Sequence, residues 1–266
     1  MITRSRITSI LKANHLDHTI TGLPSFSLSE LNLESDLDFP LPANLRLGHL
    51  AEVVVSGLIK LSTNYKVLYE NVQLTKDNRT IGEIDFIIED SNTSRLIHME
   101  LAYKFYLYDP EISSETIIDN WIGPNRNDSL KAKLEKVKNK QFPLLKNELA
   151  KSKFDKIELE EVSQVLCLLV SLFIPYEYKP SFSSSYKKAI KGYYLNIEKF
   201  ISLNHTEKSY YLPSKKEWGM DPSENLNWSE FIEFEKNLRL RISAKQAPLC
   251  WQKWKDSYVS FFIVWW

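Results

Sequence analysis

Residues 82–107 read GEIDFIIEDSNTSRLIHMELAYKFYL and set Asp85, Glu100 and Lys104 inside two strand-like apolar runs. These residue types fill cores least often, so their position calls for a reason. Side chains of a strand alternate between its two faces. In the second run that rule puts Ile97, Met99, Leu101, Tyr103, Phe105 and Leu107 on one side, and His98, Glu100, Ala102, Lys104 and Tyr106 on the other. In the first run Gly82, Ile84, Phe86 and Ile88 share an apolar side, with Glu83, Asp85, Ile87 and Glu89 opposite. If the polar faces adjoin, Asp85 and Glu100 converge.

Working outward, YKVLYENVQL supplies a strand before this pair, and the turn formers TKDNR and DSNTS separate three strands of a meander. Ahead of it, LRLGHLAEVVVSGLIKLS spaces Leu47, Leu50, Val54, Leu58 and Leu61 for one apolar helix face, with Glu52 beside the stripe. After the loop DNWIGPNRND, a second helix is expected from Ser129 to Lys140, with Leu130, Leu134 and Val137 as its stripe. SQVLCLLVSLFI, closed by Pro175, fits a strand buried on both faces, and its length also fits a buried helix. Helix, three strands, helix, strand makes an α/β core over residues 45–178. Residues 1–44, with the polar, proline-bounded SFSLSELNLESDLDFPLP, are expected to form an irregular arm around it. Residues 179–266 turn aromatic and loop-rich, as expected of an extension packed on the core with a helix over WSEFIEFEKNLRLRI.

Across 266 residues, Lys plus Arg and Asp plus Glu both total 34, so no whole-protein field draws the chain to nucleic acid or membrane, and such a partner needs a local patch. The longest apolar run falls short of the roughly 20 residues that span a bilayer. Cys167, in an apolar run, and the distant Cys250 are expected as free thiols in a reducing compartment, and MITRSRITSILKANHLDH lacks the apolar stretch of a signal peptide. A cytoplasmic protein is expected.

Two carboxylates on rigid strands suit a hard divalent cation, magnesium first and manganese as its substitute, that keeps waters for a phosphate substrate. A lysine nearby stabilises charge at phosphorus or positions the attacking water. This is the outline of phosphodiester hydrolysis, on DNA or RNA. A structural ion-pair network on a half-exposed sheet face is the plainer explanation of the same residues.

Glu52 on a helix, Asp85 on a hairpin strand and Glu100 with Lys104 on the next resemble the PD-(D/E)XK nuclease superfamily. More closely, GEIDF, HMELAYKFYL, GPNRNDSLKAK, KGYY and LPSKKEW are similar to a bacterial family, domain of unknown function 1853, from about Leu45 to near the C-terminus. The superfamily resemblance implies a restriction-endonuclease-like αβββαβ core, metal ligation by Asp85 and Glu100, help from Glu52, and a catalytic lysine. That lysine normally follows the glutamate by two residues, where this chain has Ala102, and Lys104 stands two further on. At about 3.3 Å per residue, Lys104 starts about 13 Å from Glu100. Its side chain or a bulge must make up the distance, or else Ala102 and Lys104 are the motif pair and Glu100 is displaced. Gln141 resembles the glutamine that exonuclease-like branches place near the metal.

Nine lysines between Lys131 and Lys156 face only Glu135, Glu148 and Asp155, a cluster that either tracks a phosphate backbone or solvates an amphipathic helix. Lys131 and Arg126 are the candidate phosphate contacts, and Asp128 is a candidate helix cap. Glu83 is a further possible ligand or an exposed strand residue. His49 and His98 are expected to pack or hydrogen-bond, and the HLDH spacing of His15 and His18 has no further ligand near it. Trp251, Trp254, Trp265 and Trp266 either stack bases or bury against the core or a second copy, the latter preferred. The terminal SFFIVWW is expected as a docked last strand or an association site. Besides the nuclease, two alternatives stand: a non-catalytic binding or interaction module, and an enzyme acting on a small phosphorylated molecule.

Overall fold

In the computed structural model, which describes residues 2–34, 37–179 and 181–266, the chain opens with a helix where an irregular arm was expected. α1 (Ile2–Leu11) buries Ile7 and Ile10, one turn apart, and is followed by β1 (Asn14–His15) and α2 (His18–Thr21). Leu16 N donates to Leu168 O at 3.1 Å, Phe26 N to Leu166 O at 3.1 Å, and Leu166 N to Pro24 O at 2.8 Å. The physical reason is burial: Leu16, Phe26, Leu28 and Leu31 are apolar anchors spaced through a polar stretch, and all four are buried. Ser35 and Asp36 of that stretch, and Pro180 beside the expected start of the extension, lie outside the described residues.

The chain forms two compact units: residues up to Tyr103 with Ala132–Leu169, and Lys104–Lys131 with Val170–Trp266. In the first unit, α3 (Leu47–Leu61) buries Leu50, Ala51, Val54, Val55, Leu58 and Ile59 along one face. β2 (Tyr65–Lys76), β3 (Arg79–Asp90) and β4 (Leu96–Tyr108) make the expected antiparallel meander. Asp77 and Asn78 join the first two with φ of 49° and 59°, the left-handed pair that a two-residue hairpin turn requires. At the next turn Asp90 accepts from Asn92 N and Thr93 Oγ1 at 2.9 and 2.8 Å. β4 runs from this unit into the second.

Contrary to the expectation of one polar face, β4 is buried on both: His98, Glu100, Ala102 and Tyr106 are buried along with Met99 and Leu101. In the first unit Gln141, Phe142 and Gln164 cover the face that carries His98 and Glu100. α4 (Leu130–Lys136) stops four residues short of the expected end and continues as a π turn over Val137–Gln141 and a 3-10 turn over Phe142–Lys146. Pro143 accounts for this, because its missing N–H and its ring deny an α-helix the bond to residue 139. α5 (Glu148–Lys153) follows. Leu145, Ala150, Phe154 and Val162 then pack with Leu74, Ile84 and Ile87 of the meander. β6 (Ser163–Pro175) is a strand buried along Val165–Phe173, and places Cys167 fully inside.

In the second unit the end of β4 pairs with β5 (Trp121–Ile122), and the end of β6 runs parallel to β7 (Ile190–Asn196), which follows α6 (Ser184–Ala189). After α7 (Ile197–Ile201) and β8 (Lys208–Tyr211) comes α8 (Phe231–Ser243), the helix expected over WSEFIEFEKNLRLRI. β9 (Leu249–Trp254) pairs antiparallel with β8 and with β10 (Ser257–Val264), and β10 lies parallel to β7. The terminal SFFIVWW is thus docked as a last strand within the chain. Trp251 is buried, Trp254 is exposed, and Trp266 Nε1 donates to Pro124 O at 3.0 Å. Phe200, Tyr210, Phe234, Leu238 and Phe261 form this unit's core. No described helix is long and apolar enough to cross a membrane.

Candidate functional site

The antiparallel ladder of β3 and β4 pairs Glu89 with Leu96 and ends at Phe86 with Met99. One step further in that register Asp85 faces Glu100, and there the side chain replaces the backbone: Asp85 Oδ2 accepts from Leu101 N at 2.8 Å. Burial pushes the Asp85 carboxyl up to about 8, helped by the neighbouring charges of Glu100 and Glu52 and opposed by the Leu101 N–H and by Lys133.

Glu100 is fully buried and both its oxygens accept hydrogen bonds. Gln164 Nε2 lies 3.0 Å from His98 Nδ1 and donates to Phe142 O at 2.7 Å. An amide N–H can only donate, which assigns the His98 proton to Nε2, and that nitrogen sits 2.8 Å from Glu100 Oε1. The Gln141 amide donates to Glu100 Oε2 from the other side. Lys133 Nζ in turn donates to Gln141 Oε1 at 2.9 Å, so a half-buried lysine is linked through an amide to a buried carboxylate.

Backbone geometry brings these groups together. On a regular α-helix residues 133 and 141 stand about 80° apart, at roughly 100° per residue. The wider π turn unwinds the chain and returns Gln141 toward the Lys133 side. Gly82 allows this segment to settle: a Cβ there would come within 2.4 Å of Leu144 Cδ1.

The resulting cleft, about 370 Å³, is lined by Glu52 of α3, by Glu83 and Asp85 of β3, and by Lys133, Lys136 and Lys140 of α4 and the π turn. Glu52 accepts from His49 at 2.9 Å, and that hydrogen bond and charge, with a smaller contribution from Glu83, raise the His49 pKa. Of the candidate residues, the first unit therefore brings together Glu52, Asp85, Glu100 and Gln141, with Glu83 at the same cleft.

The remaining candidates belong to the second unit, and each is engaged with an aspartate. Lys104 Nζ lies 2.8 Å from Asp128, Arg126 2.9 Å from Asp109, and Lys131 2.9 Å from Asp119. Arg126 also stacks on Trp266 with its guanidinium carbon 4.5 Å from the ring centre. Asp128 serves Lys104, and its backbone carbonyl takes the Gly123 N–H at 2.7 Å.

Sequence reasoning passed over Lys133, the link from His98 to Glu100, and Gln164. Lys133 was one of nine similar lysines, and only the π turn singles it out. Among the described residues no group of three or more His, Cys, Asp and Glu side chains stands ready to hold a metal. Asp85 lines the cleft and Glu100 lies buried behind Gln141 with both oxygens hydrogen-bonded, so the pair offers oxygen donors of the type magnesium takes, without a closed all-protein cage.

A family model described as a domain of unknown function, DUF1853, matches residues 7–257. The chain belongs to the DUF1853 family. The match takes in the whole cleft and most of both units. No curated protein and no solved structure matches the chain.

Proposed function

We propose that this DUF1853 protein is a metal-dependent phosphodiesterase acting on nucleic acid, with its active centre in the first-unit cleft. One observation carries the reading: Asp85 stands level with Glu100 on the adjacent strand, held by the Leu101 N–H, and lines a cleft that Lys133, Lys136 and Lys140 also line. Asp85 and Glu100 would hold magnesium or manganese, which when bound supplies a polarised phosphate oxygen and an acidified water. His98 and Gln141 hold the Glu100 carboxylate in one orientation. Lys133 presents the positive charge that the resemblance assigned to a lysine on the strand, and Glu52 brings a further carboxylate to the cleft. The order α3, β2, β3, β4, α4, β6, with the short β5 before α4 and α5 after it, supports a restriction-endonuclease-like core.

The seating of Gln141 on Glu100 favours a second reading, in which the cleft is sealed and the protein binds without turnover. Incubating single- and double-stranded DNA and RNA with magnesium or manganese separates the two. Cleavage by the wild type that disappears in Asp85→Asn and Glu100→Gln supports the enzyme. Specific binding without cleavage under every metal condition supports the module.

A further inference from the structure

The cleft's lysines differ in their commitments. Lys133 is engaged with Gln141, whereas Lys136 and Lys140 have no ion pair among the described residues. This sets them apart from Lys104, Arg126 and Lys131, whose charges are each matched by an aspartate. Lysine ammonium groups on flexible stems bind phosphate as point charges. Beside them, Leu144 and the exposed Ile81 give the cleft an apolar margin. An oxyanion site beside an apolar surface suits a nucleotide, in which a sugar joins the phosphate to a base with two apolar faces.

Charge balance adds a condition. Glu52 and Glu83 at the cleft and Glu100 behind Gln141 balance the three lysines, so an anion gains little net attraction there until a cation adds positive charge.

We infer that Lys136 and Lys140 form a nucleotide phosphate subsite that fills only when a divalent cation occupies the Asp85–Glu100 pair, making cation and phosphate binding mutually reinforcing. The inference rests on the metal-site reading above and adds the ligand's class and its coupling. Equilibrium coupling of this kind is reciprocal, so magnesium must bind more tightly with phosphate present by the same factor that phosphate gains from magnesium.

The test is calorimetric titration of a nucleoside 5′-monophosphate into the full chain with and without magnesium, repeated on Lys136→Ala/Lys140→Ala, with magnesium alone titrated into both proteins. Thermal unfolding checks that the variant folds, and Lys151→Ala/Lys153→Ala controls for loss of surface charge. The expected result is nucleotide binding by the wild type that requires magnesium and weakens about a hundredfold in the cleft variant, which loses two charge-assisted contacts at about one decade each. Its affinity for magnesium alone stays within about twofold. Unchanged nucleotide affinity in the cleft variant, or equal binding without magnesium, overturns the subsite while leaving the metal reading intact. Absence of magnesium binding by the wild type overturns the metal reading, and the coupling with it. A single-stranded oligonucleotide as competitor identifies the source: displacement at lower concentration than the monophosphate assigns the phosphate to a nucleic-acid strand, and failure to displace assigns it to a small molecule.

Discussion

His98 and Glu100, two residues apart on β4 and both fully buried, are joined by a 2.8 Å hydrogen bond from ring nitrogen to carboxylate. Gln164 fixes the tautomer that makes this possible, so the carboxylate proposed to hold the cation is oriented by a partner on its own strand and by Gln141 from the helical segment. Loss of such an outer partner typically weakens metal affinity by about 10- to 100-fold. His98→Phe is therefore expected to lose magnesium affinity by that order while keeping its fold, and Gln164→Leu to lose less. Magnesium titration beside thermal unfolding checks this. Wild-type affinity in a folded His98→Phe variant would make the histidine a packing residue only.

Asp85 sets a pH dependence whose sign follows from its raised value. A folded group held at about 8 binds its proton more tightly than the unfolded chain does. Its contribution to stability is full below about pH 4 and fades as pH rises toward the folded value. Across that window the metal-free wild type should lose stability relative to Asp85→Asn, by an amount on the order of a few kcal/mol. Urea midpoints of the two proteins from mildly acidic to mildly alkaline pH measure it, and parallel pH profiles would remove the buried, repelled carboxyl from the account.

Two lysines compete for the charged role near phosphate. Lys104 belongs to a half-exposed pair with Asp128, whereas Lys133 reaches Glu100 through Gln141. Lys104→Ala is expected to cost about 1 kcal/mol of stability or less and to leave any cleavage activity largely intact. Lys133→Ala is expected to reduce that activity by about 100-fold or more, the scale of losing one electrostatic contact to a transition state. Kinetics on the substrate found by screening decides between them, and the reverse ranking would return the role to Lys104.

Arg126 is bound to the buried carboxylate of Asp109 and lies over Trp266. Removing it leaves Asp109 short of a charged donor, at a cost of about 1–3 kcal/mol. Arg126→Ala should lower the urea midpoint and leave nucleotide affinity unchanged. A loss of nucleotide affinity at constant stability would restore the phosphate contact suggested by its place in the sequence.

Alternation along two strands set Asp85 and Glu100 on the polar faces and made their convergence depend on those faces adjoining, which the register through Phe86 and Met99 brings about. The helix of Glu52 was legible for a similar reason, its apolar stripe being long and regular. Lys133 was not, since one lysine in a row of nine carries no local mark, and its role depends on a π turn that Pro143 promotes but does not specify. The depth of His98 and Glu100 was also hidden: polar residues at alternate positions indicate a face, and only the segment that sets Phe142 on His98 and Gln141 on Glu100 shows that the face is closed. The helix in the N-terminal stretch escaped notice because α1 has a weak apolar stripe in which Ile7 and Ile10 bear most of the packing.

A joint hold of Asp85 and Glu100 on a divalent cation is read out by calorimetric titration of magnesium into the wild type, Asp85→Asn and Glu100→Gln. Saturable binding by the wild type that vanishes in both folded variants is the predicted result. Binding that survives either substitution unchanged, or that never occurs in the wild type, would contradict it.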